Sequence, residues 1–215
     1  MPEPDWPAYF AATVDRPPWA TVVAALELFG AGITRVGHEP LAVDLGCGAG
    51  RDTRALLRSG WRVLAIDREP TAIATLLRAT PVRDRRRLET RVVDMANAVI
   101  PRADLVNASV SLPFLPPEVF GPTWIRMRAS VRPGGRLTTM LFGDRDEFAS
   151  DPTMSCRSMK DVLADLSGFQ VESLHEREED GRTALGEPHR YHLIEVVARR
   201  LDETREEAPT TSKGP

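Results

Sequence analysis

The sequence predicts an α/β fold: a Rossmann-like, doubly wound sheet of seven strands, mostly parallel with an antiparallel late strand. Three observations carry this. Short apolar runs alternate with helix-like segments from residue 41 to residue 142. A glycine-rich run, GCGAG at residues 46–50, stands between the first apolar run and the helix that follows it. The last two strand-like runs are joined by a polar link with no helical pattern, so they can pair antiparallel.

The elements follow in order. Residues 1–17 are rich in proline and aromatics, and 18–30 (PWATVVAALELFG) have the apolar spacing of an amphipathic helix ending at Gly30. Leu41 to Leu45 is apolar and too short for a helix, which makes it a buried strand. Residues 51–59 form a helix closed by Gly60, where a left-handed residue commonly ends one. Trp61 to Ile66 is a second strand. Pro70 to Thr80 is a helix whose proline stands in the first turn, where its missing N–H costs nothing. Strands at 88–93 and 104–108 precede a helix from Pro117 to Val131, a turn at 133–135 and a fifth strand from Arg136 to Phe142. Ser158 to Leu166 is a helix, and 169–177 and 190–198 are the late strands. The expected organisation is an N-terminal helical lid segment over 1–30, one binding domain over 31–200 and a flexible tail over 201–215, which lacks apolar periodicity.

A chain of 215 residues holds one domain with a sizeable core and leaves little room for a second. The net charge of −3 gives no broad basic field, so nucleic acid is not the expected partner. Two cysteines, Cys47 and Cys156, are too few for a disulfide scaffold or a thiolate zinc site. The N-terminus has acids and prolines where a secretory signal has basic and then apolar residues. No apolar run approaches the roughly 20 residues that span a bilayer, so a cytoplasmic protein with no membrane partner is expected. Asp144 and Asp146 read as a solvated turn, and no metal site is expected.

The informative stretch is LAVDLGCGAGRDT, residues 41–53. Glycine allows a tight turn and lets a ligand approach bare backbone, and in an open α/β sheet the ligand crevice lies at this end of the strands. A dinucleotide fingerprint would place its third glycine at position 51, where Arg51 stands, and a phosphate-binding P-loop would need a lysine that is absent. Asp44, just ahead of the glycines, repels an anion and attracts a cation such as an amino group. Asp67 ends the second strand, where an acid accepts from the ribose hydroxyls of an adenosine. After the third strand, Asp94 and Met95 offer a carboxylate to an adenine amino group and a backbone N–H to a ring nitrogen.

Taken together, DLGCGAGRDT, Asp67, the Asp94-Met95 pair and the PGG turn before the fifth strand resemble a class I S-adenosylmethionine-dependent methyltransferase, over roughly residues 40–145. GRDT and LLRSGWRVLAID are similar to the branch that includes the tellurite-resistance methyltransferases and many small-molecule methyltransferases. The resemblance implies S-adenosyl-L-methionine as cofactor. It implies Gly46, Gly48 and Gly50 under the methionine part, Asp44 at the amino group, Asp67 on the ribose and Arg68 flanking the adenine. It also implies Asp94 and Met95 at the adenine edge, with Asn107 and Ala108 beside the sulfonium and the methyl group. NASVSLPFLPP departs from the acidic or aromatic residue that the family often has in its strand-four motif, which leaves the identity of a catalytic group open.

An antiparallel last strand begins near the active face, which makes His189, Tyr191 and His192 the candidates to take a proton from the acceptor. Phe114 and Phe142 are expected to line an apolar acceptor pocket. Trp6, Tyr9 and Phe10 need a groove to bury them, and the expected groove is the cofactor cleft, with Tyr9 lining the methyl channel and Arg16 reaching the cofactor's carboxylate. Cys47 is a small filler, Trp61 belongs to the core, and His38 and His175 lie on the surface. The expected function is in-line methyl transfer to oxygen, nitrogen or sulfur of a small-molecule acceptor by a monomer or homodimer. The alternatives are a tellurite or other chalcogen-oxyanion methyltransferase, a non-catalytic S-adenosylmethionine-binding module, or another nucleotide enzyme such as a dehydrogenase.

Overall fold

The computed structural model describes residues 5–30 and 39–202. Its strands are β1 (Leu41–Leu45), β2 (Arg62–Asp67), β3 (Leu88–Val92), β4 (Ala103–Ser109), β5 (Val131–Phe142), β6 (Phe169–Arg182) and β7 (Pro188–Arg200). They form one sheet in the order β3-β2-β1-β4-β5-β7-β6. Strands β1 to β5 pair parallel, and β7 runs antiparallel to both β5 and β6, as the sequence predicts. The helices are α1 (Trp6–Thr13), α2 (Ala20–Phe29), α3 (Arg51–Arg58), α4 (Pro70–Ala79), α5 (Val82–Arg85), α6 (Pro117–Ser130) and α7 (Met159–Ala164).

The inner strands are apolar on both sides because helices cover both faces. Val43, Leu45, Leu64, Ile66, Val106 and Leu137 pack with Phe120, Trp124 and Met127 of α6. On the other face, Ala42, Val63 and Leu105 pack with Val22 and Ala25 of α2, Leu56 and Leu57 of α3, and Trp61. Each large side chain so buried contributes about 1.5–3 kcal/mol. The strand order reverses between β1 and β4, and at such a switch point the connections leave in opposite directions and open a crevice at the carboxyl ends.

Some boundaries differ from expectation. β5 begins at Val131, and the PGG segment is an irregularity within it: Gly134 has φ +74° and the register against β4 shifts between Ala103 and Leu105. The polar link between the late strands is largely strand, with Thr183 N–H donating to Glu187 O at 2.8 Å to close the turn. Both faces of that ribbon tip carry exposed charge, so no apolar alternation announces it. Helix α1 begins after Asp5, whose carboxylate accepts from Ala8 N–H at 3.0 Å. The four-residue α5 is too short to leave a periodic signal. The expectation for the tail lies outside the described residues except for Leu201 and Asp202, as does that for His38. No helix among the described residues is long and apolar enough to cross a membrane.

Candidate functional site

An open cleft of about 950 Å³ lies at the carboxyl ends of β1, β2 and β4. Its floor is the glycine loop, where Gly46, Gly48 and Gly50 have φ of +67°, +53° and +80°, values that favour glycine. A side chain at Gly46 would overlap Ser111 and the Met95 methyl group, so the loop sits against its neighbours with bare backbone. Gly48 N–H donates to Asp67 Oδ2 at 2.8 Å and Glu69 N–H to Oδ1 at 2.9 Å, which latches the loop to the end of β2. Burial raises the Asp67 pKa. Asp94 accepts from Ala96 N–H at 2.7 Å, which holds the Asp94-Met95 corner against the same cleft.

Beneath the floor lies a network of buried polar groups. The Asn107 side-chain amide donates to Asp44 Oδ1 at 2.8 Å and to Asp52 Oδ2 at 3.2 Å. The Asn107 carbonyl oxygen accepts from Thr138 at 2.8 Å and Ser109 at 2.9 Å, which fixes which end of the amide faces the acids. Asp44 also accepts from Thr53 at 2.5 Å, and Asp52 from Trp19 N–H at 2.9 Å. Burial, and then the like charge of Asp52, push Asp44 up to about 7. Burial also raises Asp52. The same burial holds the Cys47 thiol well above its ordinary value, which suits a filler and not a thiolate nucleophile.

The N-terminal segment forms one wall. Phe10 of α1 is buried beside Gly48. Trp6 meets Tyr9, Phe10 and Phe114 with ring centroids 5.7, 6.0 and 5.5 Å apart. The Trp6 indole nitrogen is buried with no hydrogen-bond partner. Arg54 donates to Val14 O and Arg51 Nε to Pro17 O at 2.6 Å, which ties the α1–α2 connection to α3. The Arg51 guanidinium lies 4.0 Å over the Trp19 ring. Val110, on the opposite wall, has φ +53°, a left-handed conformation that costs a β-branched residue about 1–3 kcal/mol.

Of the predicted site residues, Asp44, Gly46, Gly48, Asp67, Arg68, Asp94, Met95, Tyr9 and Phe114 line this one cleft. Gly50 is the residue that caps the N-terminus of α3, outside the lining, and Ala108 is in the core. Asn107 lies below the floor, positioning the two acids and outside the lining. Arg16 is exposed and outside the lining, where Arg51 faces the cleft in its place. Phe142 stands behind Phe114, ring centroids 5.9 Å apart.

The three residues expected to take a proton are elsewhere. His192 is fully buried: the Arg145 backbone N–H donates to its Nδ1 at 3.0 Å, and its Nε2 lies 2.8 Å from Glu176 and 3.0 Å from the Arg145 guanidinium. His189 is buried, with Nε2 2.9 Å from Asp146. The Tyr191 hydroxyl donates to Arg182 O at 3.3 Å. None of the three is in the cleft lining. Asp146 is not the solvated residue expected: it is buried and accepts from Phe148 N–H, His189 and His192 N–H.

The model of the family described as "Tellurite resistance protein TehB" matches residues 32–178. The chain belongs to the TehB family. Among solved structures it is similar to TehB from Haemophilus influenzae, at TM-score 0.68 and 19% identity over 83% of this chain and 61% of that one. It is also similar to the 1,6-didemethyltoxoflavin-N1-methyltransferase of Burkholderia thailandensis, solved with bound S-adenosylhomocysteine, at 0.59 and 23% over 85% and 79%. A third is the magnesium protoporphyrin IX methyltransferase of Synechocystis PCC 6803 with bound S-adenosylmethionine, at 0.59 and 17% over 84% and 78%. A search of curated protein sequences finds no match. The chain spans 61% of the length of the Haemophilus influenzae TehB chain, and it shares the fold of these S-adenosylmethionine-dependent methyltransferases.

S-adenosyl-L-methionine fits the residues present. The lining carries five acids, Asp44, Asp52, Asp67, Glu69 and Asp94, against two arginines, Arg51 and Arg68, which suits a sulfonium and an ammonium. The glycine floor admits close backbone approach, and the buried Trp6 N–H at the wall awaits an acceptor. Among the described residues no group of three metal-ligating side chains occurs. Sequence reading missed Arg51, Asp52, Trp19 and Ser109 as cleft residues. The signal for the first two was present in GRDT, because a residue in the first turn of the helix after the glycine loop faces the same crevice.

Proposed function

We propose that this protein transfers the methyl group of S-adenosyl-L-methionine to oxygen, nitrogen or sulfur of a small organic acceptor that is neutral or cationic. The observation that carries this is the cleft itself: an acidic glycine-loop floor on one side, and a wall of Trp6, Tyr9, Trp19 and Phe114 on the other. The cofactor supplies a methyl carbon already activated on sulfur. The chain's residues bind and orient. Asp67 accepts from the ribose hydroxyls, Asp94 and Met95 hold the adenine edge, Arg68 flanks it, and Asp44 takes the amino group. Arg51, held over Trp19, is the cation for the carboxylate end. Helix α1 acts as a lid whose aromatic side chains exclude water and align the acceptor. Such positioning supplies up to roughly 7–11 kcal/mol of barrier lowering, so no strong base is required for an acidic hydroxyl such as a phenol.

A tellurium oxyanion is the second reading, favoured by the description of the family. The excess of acids in the cleft opposes an anionic acceptor. One experiment separates the readings. Protein with methyl-labelled cofactor is incubated with tellurite, and separately with a metabolite extract screened by mass for gain of one methyl group. Label in an organic product is expected; label only with tellurite selects the oxyanion. S-adenosylhomocysteine that binds while label never leaves the cofactor selects a binding module, and no heat with S-adenosylhomocysteine overturns the cofactor assignment.

A further inference from the structure

The mechanism above uses Asp44 and leaves Asp52 without a task. Asp52 is buried and lines the same cleft. One amide, Asn107, donates to both acids, at 2.8 and 3.2 Å. Two carboxylates that share one neutral donor so far from water are not both ionised cheaply: like charges in a poorly solvated site favour one bound proton. Among the described residues no side-chain cation is hydrogen-bonded to either acid: their donors are Thr53, Asn107 and the Trp19 backbone, and Arg51 acts on Asp52 only through its charge. The site therefore has room for one positive charge.

We propose that Asp44 and Asp52 hold one proton between them in the free protein and exchange it for the α-ammonium group of the cofactor, so that Asp52 is a second cofactor-binding carboxylate. This rests on the cofactor reading above. The other charged and titratable groups facing the pair are Asp67 at the end of β2, Arg51 beside Asp52, Tyr9 of α1 and Cys47 of the loop. Tyr9 and Cys47 are pushed up by burial and stay protonated through neutral pH. Asp67 takes the ribose, so its contribution is common to any ligand that carries the ribose. The exchange balances: one proton leaves to buffer as one ammonium enters, and no covalent bond changes.

The test is calorimetry of the whole protein with S-adenosylhomocysteine, which keeps the amino group, in buffers of different ionisation enthalpy. Release of about one proton is expected at pH 6, falling towards zero by pH 8.5, with affinity about tenfold tighter at pH 8 than at pH 6. 5′-Methylthioadenosine, which has the ribose and adenine but no ammonium, is expected to bind without that release. Asp52→Asn is expected to cut the release at pH 6 by at least half and to flatten the pH dependence. Binding of S-adenosylhomocysteine with no net proton exchange at pH 6, or equal release with methylthioadenosine, overturns the inference and leaves the cofactor reading intact. No binding of S-adenosylhomocysteine overturns the cofactor reading itself. If Asp52→Asn does not fold, the two-ligand comparison on the unaltered protein decides alone.

Discussion

Two buried polar clusters stand at the carboxyl edge of the sheet, and they differ in one respect. Around Asp146, the acid is satisfied from within: Phe148 N–H, His192 N–H and His189 all donate to it, and the imidazole of His192 has partners on both nitrogens. Around Asn107, two acids face a cleft with more negative charge than the protein's own donors answer. The first cluster is complete and holds a loop on β7. The second is incomplete and calls for a cation. Titratable residue types alone do not separate a structural knot from a binding site; the balance of donors and charge does.

The largest expected effect breaks the open side. Asp67→Ala removes the acceptor for both ribose hydroxyls, and charge-assisted hydrogen bonds contribute about 1.5–3 kcal/mol each, so affinity for S-adenosylhomocysteine falls about 100-fold or more. Circular dichroism is expected to show a folded protein, because Asp67 supports only the turn at Gly48 and Glu69. Retained affinity would remove the ribose from this end of β2.

The two clusters also differ in how far the sequence exposes them. The floor of the cleft was legible because its requirements are local. A strand, three closely spaced glycines and an acid at the end of the next strand each leave a mark in consecutive residues, and Asp44, Gly46, Gly48, Asp67, Asp94 and Met95 came together as expected. What failed was orientation across the sheet. That the antiparallel strand starts at the active edge is correct, yet which way His189 and His192 point depends on Asp146 and Arg145, more than 40 residues earlier. Arg16 and Arg51 were likewise exchanged, because the α1–α2 connection is placed by Arg51 and Arg54, distant in sequence. Asp146 was misread because an acid in a Gly-Asp-Arg-Asp turn looks solvated until its donors are known.

The next effect sharpens the closed side. Asp146→Ala leaves three donors unpaired, two of them in fully buried surroundings, and is expected to lower unfolding free energy by about 3–5 kcal/mol. Affinity for S-adenosylhomocysteine in the remaining folded protein should stay within about twofold, measured below the melting transition. A large loss of affinity with little loss of stability would transfer this cluster to the functional side.

The smallest effect tests the open cluster through stability. Asp44 has a folded-state pKa of about 7 against an ordinary 3.8, raised by burial and by Asp52. A carboxyl raised in this way contributes its stability below the unfolded value and loses it as pH climbs through the folded value. The free protein should therefore weaken between about pH 4 and pH 8 on account of this group. Asn at position 44 resembles the protonated acid, keeps a carbonyl for Asn107 and an amide for the Thr53 hydroxyl, and does not ionise. Asp44→Asn is expected to gain on the unaltered protein as pH rises, its advantage growing between pH 5 and pH 8 by roughly 1–2 kcal/mol, about 3–8 °C in melting temperature. The same variant should bind S-adenosylhomocysteine more weakly, so stability and affinity move in opposite directions. A variant that gains nothing between pH 5 and pH 8 would mean that the charge on Asp44 is already compensated in the free protein, and the contrast between the two clusters would disappear.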